Sequence, residues 1–222
     1  MYVKVCGITQ LEDALAAIAA GADVLGFNTI PASKRYLDNE SIRSIVQALR
    51  QNSASPVLSV AVVADLPTAR AHALHAELGV DRLQLHGDET PERLVELGAI
   101  AFKALRIADA ADVAHASAFP GHPLLVDAKV QGQLGGTGHA IDWPLVEPLA
   151  RSRPLILAGG LTPENVAVAV RTVQPWAVDV ASGVERDGDP RRKDPEKMRR
   201  FVDAARAAHG GAQVDRFRTR PF

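Results

Sequence analysis

Two residues of types that move protons follow short apolar runs, a cysteine near the amino terminus and an aspartate past the middle. Cys6 is the only cysteine among the 222 residues and follows the run that begins at Val3. Asp127 ends the run PLLVD, residues 123–127. A thiol acts as a base or nucleophile when its pKa, ordinarily about 8.5, is lowered. A carboxyl group at a strand end can be a general acid or base, so each residue is a candidate for proton transfer.

Both residues also have a purely structural interpretation. Free cysteine is among the most buried residue types, so Cys6 could be a small packed side chain. Asp127 could be a cap or an ion-pair partner, for example of Lys129. Against packing, Cys6 stands at the end of its apolar run, directly before Gly7. On a strand Lys4 shares a face with Cys6, and an ammonium there would favour the thiolate.

Two glycine-containing turns are candidate anion sites. The stretches LAGGLTPEN (157–165) and VDVASGVE (178–185) each run from apolar residues into small ones. Backbone N–H groups freed there can point at an anion, and glycine permits a close approach. The alternative is that both are merely tight turns. A third stretch, KVQGQLGGTG (129–138), lacks the Gly-Lys-Ser/Thr ending of a P-loop and is expected to be a mobile lid.

The elements that must position these residues alternate along the chain. Apolar runs predict strands at 3–8, 24–27, 58–63, 82–86, 101–105, 124–127, 155–158 and 177–180. Helical spacing predicts helices at 10–20, 39–50, 67–78, 91–97, 110–117, 142–150, 163–171 and 195–208, with Thr9 capping the first. Alternation implies a parallel sheet, and eight units favour a closed (β/α)8 TIM barrel, with an open doubly wound sheet as the alternative.

The predicted barrel is a single α/β domain over residues 1–208, and residues 209–222 are expected to be a flexible tail. In such a barrel, function lies at the carboxyl ends of the strands. Polar or reactive residues occupy those positions, namely Cys6, Asn28, Asp65, His86, Arg106, Asp127 and Asp179. The glycine turns follow the seventh and eighth strands, where barrels often bind phosphate. Packing alone explains this shared placement poorly.

Composition argues against several other classes of protein. A formal net charge of −1 gives no general electrostatic reason to bind nucleic acid or an anionic membrane. The basic cluster 191–193 is expected to be a solvated loop. No apolar run reaches transmembrane length, no export signal is recognised, and one cysteine cannot form an internal disulfide. We therefore expect a cytoplasmic protein without a membrane or nucleic-acid partner.

The sequence resembles the phosphoribosylanthranilate isomerase family over almost its whole length. The matching stretches are VKVCGIT (3–9), GADVLGF (21–27), SKRYL (33–37), LQLHGDE (83–89), FKALR (102–106), LLVDA (124–128), GGTGHAIDW (135–143), LAGGLTPENV (157–166) and VDVASGVE (178–185) with KD (193–194). They follow the family's order, and KVCGIT together with GGTG…DW is highly specific. The resemblance implies the Amadori rearrangement of N-(5-phosphoribosyl)anthranilate to 1-(2-carboxyphenylamino)-1-deoxyribulose 5-phosphate, in tryptophan biosynthesis.

The resemblance also implies the proton-transfer roles. Cys6 would be the general base and Asp127 the general acid. Asp127 would protonate the ribose ring oxygen and open the ring to a Schiff base. The Cys6 thiolate would then remove the C2 proton, giving an enolamine that tautomerises to the product. Because the iminium is the electron sink, no metal or cofactor is expected.

Substrate contacts are implied in the same way. Arg35 would bind the anthranilate carboxylate, and His86 and Asp179 correspond to polar residues of the family's pocket. The backbone amides around Gly159, Gly160, Ser182 and Gly183 would hold the phosphate. The expected partner is this small phosphosugar–anthranilate substrate, and family members occur as monomers and homodimers.

The sequence departs from the family pattern at three positions that follow the second and third strands. Asn28 is unexpected after the second strand, and Val63 and Asp65 replace the usual aromatic residue and asparagine after the third. One alternative is another phosphosugar barrel, such as an indole-glycerol-phosphate synthase relative or a bifunctional histidine–tryptophan isomerase. Another is a non-catalytic protein that binds a phosphate ligand. Cys6 argues against the first alternative, and the presence of both Cys6 and Asp127 argues against the second.

Overall fold

Eight parallel strands close into a barrel in the computed structural model, which describes residues 1–52, 57–121, 123–128 and 142–209. The strands are β1 (Tyr2–Cys6), β2 (Val24–Asn28), β3 (Leu58–Val63), β4 (Arg82–Leu85), β5 (Ala101–Ile107), β6 (Leu124–Ala128), β7 (Leu155–Leu157) and β8 (Ala177–Val180). Each strand pairs with the next, and β1 pairs with β8. The predicted (β/α)8 barrel is confirmed, and the open doubly wound sheet is wrong because no strand of this sheet is left at an edge.

A helix follows each strand of the barrel. The helices are α1 (Leu11–Ala19), α2 (Asn39–Asn52), α3 (Thr68–Leu78), α4 (Pro91–Leu97), α5 (Ala110–Ala116), α6 (Trp143–Ser152), α7 (Val166–Val173) and α8 (Pro195–Ala208). The predicted Thr9 cap is wrong, because Gln10 precedes α1 and the Thr9 hydroxyl donates to the Arg191 carbonyl instead. Helix α7 begins later than predicted, because the Asn165 side chain accepts from the Thr162 N–H (2.8 Å) and stabilises a turn there.

Strand residues alternate between the helices and the barrel interior. Val3 and Val5 of β1 belong to the core between sheet and helices, so Lys4 and Cys6 point into the barrel. Part of the interior is an apolar layer made by Val24, Val60, Phe102, Ala104, Leu125, Ile156, Ala158 and Ala177. This layer separates the polar residues at the carboxyl ends of the strands from the opposite end of the barrel.

A hairpin after β8 was not predicted from the sequence. A 3₁₀ turn at Ser182–Val184 leads into β9 (Glu185–Arg186), which pairs antiparallel with β10 (Asp189–Lys193). We call residues 185–193 the β9–β10 hairpin. The prediction that residues 191–193 form a solvated loop is wrong, because Lys193 is fully buried and Arg192 pairs with the buried Asp13 at 3.4 Å.

Three sequence predictions stay open. The expected lid, residues 129–138, lies outside the described residues, as does the expected tail 209–222 apart from His209. The domain boundary at residue 208 stays a prediction, although α8 ends there. Among the described helices, none combines the length and the apolar character needed to cross a membrane.

Candidate active site

The Cys6 thiol lies half-buried at the carboxyl end of β1, beside a glycine of β2. Cys6 is in register with Gly26. A Cβ atom built on Gly26 would lie 2.8 Å from Cys6 Sγ and 3.1 Å from Lys4 Nζ. The absence of a side chain at position 26 therefore leaves the space that the thiol and the ammonium occupy together. Sequence reasoning missed Gly26, although a glycine inside a strand often marks such a close approach.

Lys4 is buried between the sulfur and a carboxylate. Its Nζ atom lies 2.9 Å from Asp179 Oδ1, across the β1–β8 pairing that closes the barrel. Burial alone would lower the pKa of Lys4, but Asp179 and then Cys6 favour the ammonium and leave that pKa raised. Lys4 is therefore a cation at neutral pH. This places a positive charge beside the Cys6 side chain.

Asp127 enters the same interior from β6. It is buried, and its backbone is in register with Arg106 of β5. Leu124 and Val126 face the helices, so Asp127 points into the barrel as Cys6 does. The two candidate proton-transfer groups thus lie at the carboxyl ends of two strands that face a common interior.

His86 follows β4 and is held as a neutral ring. Its Nδ1 atom lies 3.1 Å from Gln84 Nε2, and its backbone N–H donates to the Val63 carbonyl at 2.8 Å. Burial, followed by the positive charges of Lys103, Lys4 and Arg106, lowers the pKa of His86 to about 4. A neutral imidazole can donate one hydrogen bond and accept another, which suits substrate binding better than a fourth positive charge.

Arg35 reaches the barrel mouth from the loop after β2. Its side chain crosses Gly7, where φ is +75° and an added Cβ atom would lie 3.2 Å from Arg35 Nε. Arg35 Nε donates to Glu185 Oε1 at 2.5 Å, and the same oxygen accepts from Lys193 Nζ at 3.3 Å. Sequence reasoning missed Glu185 and Lys193, because nothing in their spacing shows that the β9–β10 hairpin folds back over the loop after β2.

The two glycine turns pack against each other. Gly159 and Gly160 have φ values of +85° and +64°, a region that favours glycine. A Cβ atom on Gly183 would overlap the Leu161 carbonyl and lie 3.0 Å from Thr162 Cα, so the turns after β7 and β8 touch. The predicted phosphate residues therefore belong to one contiguous surface of backbone.

Comparison with known proteins identifies the family. The sequence model described as N-(5'phosphoribosyl)anthranilate (PRA) isomerase matches residues 3–204. The chain belongs to this isomerase family. It is 44% identical over 211 residues to the N-(5'-phosphoribosyl)anthranilate isomerase of Magnetococcus marinus, covering 95% of this chain and 97% of that relative. It is 41% identical over 209 residues to the Pseudomonas fluorescens isomerase, covering 93% and 96% of the two chains.

Solved isomerase structures agree with the fold. The Thermotoga maritima isomerase superimposes with a TM-score of 0.84 at 34% identity, covering 93% of this chain and 99% of that one. The Thermus thermophilus isomerase gives a TM-score of 0.79 at 37% identity, with the same coverage. A further solved isomerase, with a TM-score of 0.81, is a complex with reduced 1-(o-carboxyphenylamino)-1-deoxyribulose 5-phosphate. The predicted family resemblance is thus confirmed.

Another buried lysine lies on the helix side of the isomerase barrel. Lys103 Nζ donates to Glu89 Oε2 and to the Gly87 carbonyl, both at 2.7 Å. Glu89 Oε1 in turn accepts from the Asp65 N–H at 2.7 Å. Asp65, one of the departures from the family pattern, therefore helps to organise the loops after β3 and β4.

Asn28, another departure, has a comparable local role, since its Oδ1 accepts from the Ile30 N–H at 2.8 Å. The third, Val63, is buried in the core between sheet and helices and faces the helices. Within the described ranges, no three His, Cys, Asp or Glu side chains are arranged to hold a metal ion.

Proposed function

We propose that this chain isomerises N-(5'-phosphoribosyl)anthranilate in tryptophan biosynthesis, with Cys6 as general base and Asp127 as general acid. The observation that carries the assignment is the buried Lys4 ammonium, which interacts with the Cys6 side chain, in a chain whose family match covers residues 3–204. Asp127 faces the same barrel interior. An acid and a base that work at one pH need different environments.

Ring opening is the first step. The Asp127 carboxyl group donates its proton to the ribose ring oxygen as the C1–O bond breaks. The anilino nitrogen supplies its electron pair to C1, so an iminium forms and the ring oxygen becomes a hydroxyl group. Asp127 is then a carboxylate.

Proton abstraction is the second step. The Cys6 thiolate removes the C2 proton, the C2–H electrons form a C1=C2 bond, and the iminium electrons return to nitrogen. The resulting enolamine tautomerises, with a proton added at C1 and a ketone formed at C2. Cys6 forms no covalent bond with the substrate, which separates a base from a nucleophile. Lys4 supports the thiolate throughout, because it stays an ammonium.

The binding residues match a substrate that is anionic at both ends. Arg35 can donate two parallel hydrogen bonds to the anthranilate carboxylate. The backbone of Gly159, Gly160, Ser182 and Gly183 would hold the phosphate at the other end. His86 and Asp179 would complete the pocket between them, His86 as a neutral ring. Holding both ends places the reacting C1 and C2 atoms between the acid and the base.

A monomer or homodimer in the cytoplasm is the proposed working form. One solved relative with a TM-score of 0.81 is described as mutually generated monomers of the dimeric isomerase from Thermotoga maritima. A single cysteine suits a reducing compartment. Light scattering of the purified chain at several concentrations decides between the two states.

Complementation tests the proposed function most directly. The wild-type chain should restore growth without tryptophan to an auxotroph that lacks this isomerase. Cys6→Ala and Asp127→Asn, expressed at equal levels, should not restore it. Growth supported by either variant would refute the assigned roles, and failure of the wild-type chain, when expressed and folded, would refute the function itself.

A further inference from the structure

Glu185 places one carboxylate between two cations at the barrel mouth. Its Oε1 atom accepts from Arg35 Nε at 2.5 Å and from Lys193 Nζ at 3.3 Å. The three side chains are 10%, 12% and 0% exposed, respectively. Taking three charges out of water is costly, so such a cluster needs good geometry to persist.

Lys193 anchors this cluster to the barrel. Its Nζ atom also donates to the Ala181 carbonyl at 2.9 Å, and its backbone N–H donates to the buried Asp13 carboxylate at 2.8 Å. Burial lowers the pKa of Lys193, although Glu185 and Cys6 favour its charged form. The Glu185 carboxylate is therefore held by a lysine that the barrel fixes independently.

The contact with Glu185 decides which Arg35 donors a ligand can use. A guanidinium binds a carboxylate either side-on, through Nε and one terminal nitrogen, or end-on, through both terminal nitrogens. Glu185 occupies Nε, so the end-on pair remains for a ligand. Gly7 allows the arginine stem to lie close against the backbone after β1, which limits its other orientations.

The β9–β10 hairpin also holds the backbone around Arg35. Arg191 Nη1 donates to the Tyr36 carbonyl at 3.0 Å and to the Lys34 carbonyl at 3.4 Å. These are the two residues that flank Arg35 in the chain. The hairpin therefore fixes both the backbone and the side chain of the arginine.

We propose that Glu185 is a positioning residue that presents Arg35 end-on to the substrate carboxylate, with Lys193 as its anchor. This inference rests on the proposed function, in which Arg35 binds the anthranilate carboxylate. Glu185 acts through Arg35 and contacts neither the reacting carbons nor the phosphate. Its loss should therefore weaken binding of the carboxylate end of the substrate and leave the phosphate end unaffected.

Glu185→Gln is the principal test, because it keeps the size of the side chain and removes its charge. We expect KM for the substrate to rise about 5- to 20-fold, with kcat within about twofold of wild type. The matched control is Glu77→Gln, which removes an exposed carboxylate that pairs with Arg70 at 3.1 Å on α3. The control should leave both constants unchanged.

Inhibition by inorganic phosphate separates a positioning role of Glu185 from a merely structural one. It lacks the carboxylate, so its inhibition constant should be the same for Glu185→Gln and wild type. If Glu185 only supported the neighbouring turn at Ser182–Val184, phosphate would bind more weakly as well. Equal weakening of substrate and phosphate binding would overturn the proposal.

A double-mutant cycle with Arg35→Met shows whether Glu185 acts through the arginine. In the Arg35→Met background, adding Glu185→Gln should raise KM no further, because the group being positioned is gone. If Glu185→Gln raised KM by the same factor with and without Arg35, Glu185 would act independently of the arginine, and the proposal would be overturned. If Glu185→Gln does not fold by circular dichroism, Glu185→Asp replaces it in the cycle, since it keeps the charge beside Lys193 but withdraws the carboxylate from Arg35.

The proposed function and the positioning role of Glu185 are refuted by different results. A folded wild-type chain that does not isomerise N-(5'-phosphoribosyl)anthranilate would refute the proposed function. A wild-type chain that does, together with a Glu185→Gln variant of normal KM, would refute only the positioning role.

Discussion

Two buried lysines on strands of the barrel, each paired with a carboxylate, look alike and have opposite electrostatic outcomes. Lys4 lies 2.9 Å from Asp179 inside the barrel, and Lys103 lies 2.7 Å from Glu89 on the helix side. Burial lowers the pKa of Lys103 despite Glu89. The pKa of Lys4 is raised, because Asp179 and Cys6 together outweigh burial. The number of anionic neighbours does not separate the two sites, because Asp65 and Asp88 also favour the charged form of Lys103 and burial still outweighs them.

The difference shows that burial of a lysine does not by itself indicate a role in catalysis. Besides Glu89, Lys103 contacts the carbonyls of Leu85 and Gly87, at 3.3 and 2.7 Å, so it ties a loop to the barrel wall. Lys4 instead interacts with the side chain of the half-buried Cys6 at the mouth of the barrel. The atoms that the ammonium contacts decide whether the pair is structural or functional.

The largest expected effect comes from removing the reactive groups at the Lys4 site. Cys6→Ala and Asp127→Asn should each lower kcat by at least about 10²-fold, because each proton transfer contributes about 10²–10⁴-fold. Steady-state kinetics measure this, and circular dichroism should show an intact fold. Near-normal turnover in either variant would remove that residue from the mechanism.

Neutralising each lysine tests the comparison itself. Lys4→Met and Lys103→Met should both destabilise the fold, by about 3–5 kcal/mol, because Asp179 or Glu89 is left buried beside no cation. At a temperature where both variants are folded, kcat should fall at least about tenfold in Lys4→Met and stay within about threefold of wild type in Lys103→Met.

Two double variants are the matched controls for these lysines. Adding Asp179→Asn to Lys4→Met, or Glu89→Gln to Lys103→Met, removes the unpaired charge and should recover part of the free energy of unfolding. Lys103→Met should then be close to wild type in kcat, whereas Lys4→Met should stay slow. Equal kcat losses at the two sites would show that the comparison is wrong.

His86 allows a further test of the comparison between Lys4 and Lys103, because both lysines lower its pKa. The folded value of about 4 lies below the ordinary 6.5, so the unfolded chain binds the proton more tightly. Stability from this group is fully present above pH 6.5 and is lost as the pH falls toward 4, by up to about 3 kcal/mol. Chemical denaturation across this range measures the loss: the stability of wild type should fall by up to about 3 kcal/mol relative to His86→Gln between pH 6.5 and 4, and this group should add no further pH dependence below pH 4.

The same histidine reports on each lysine separately. After burial, Lys103 lowers the pKa of His86 more than Lys4 does. In an NMR titration, the pKa of His86 should therefore rise more in Lys103→Met than in Lys4→Met. The opposite order would mean that the interior pair dominates the field at this ring.

The smallest expected effect concerns binding alone. Arg35→Ala should raise KM for the substrate about tenfold or more, because a charge-assisted pair of hydrogen bonds is lost, while kcat changes less. Steady-state kinetics measure both constants. An unchanged KM would place Arg35 outside the pocket.

The sequence by itself determined the eight strand–helix units and which residues share a face. Apolar runs and helical spacing are local properties, and alternation along β1 already put Lys4 and Cys6 on one side. A helix boundary differs from its prediction where a side chain bonds to a backbone N–H group and stabilises a turn, as Asn165 does before α7. The candidate acid, base and anion-binding turns could all be named, because strand ends are local features too.

Only the tertiary structure decided what those residues contact. Lys4 meets Asp179 because closure of the barrel pairs the first strand with the last, across 175 positions of sequence. Arg35 meets Glu185 across 150 positions, because the β9–β10 hairpin folds back over the loop after β2. Lys193 lay in a basic cluster that pattern alone assigned to solvent, and packing buried it. Long-range pairing creates these contacts, and no local spacing along the chain encodes them.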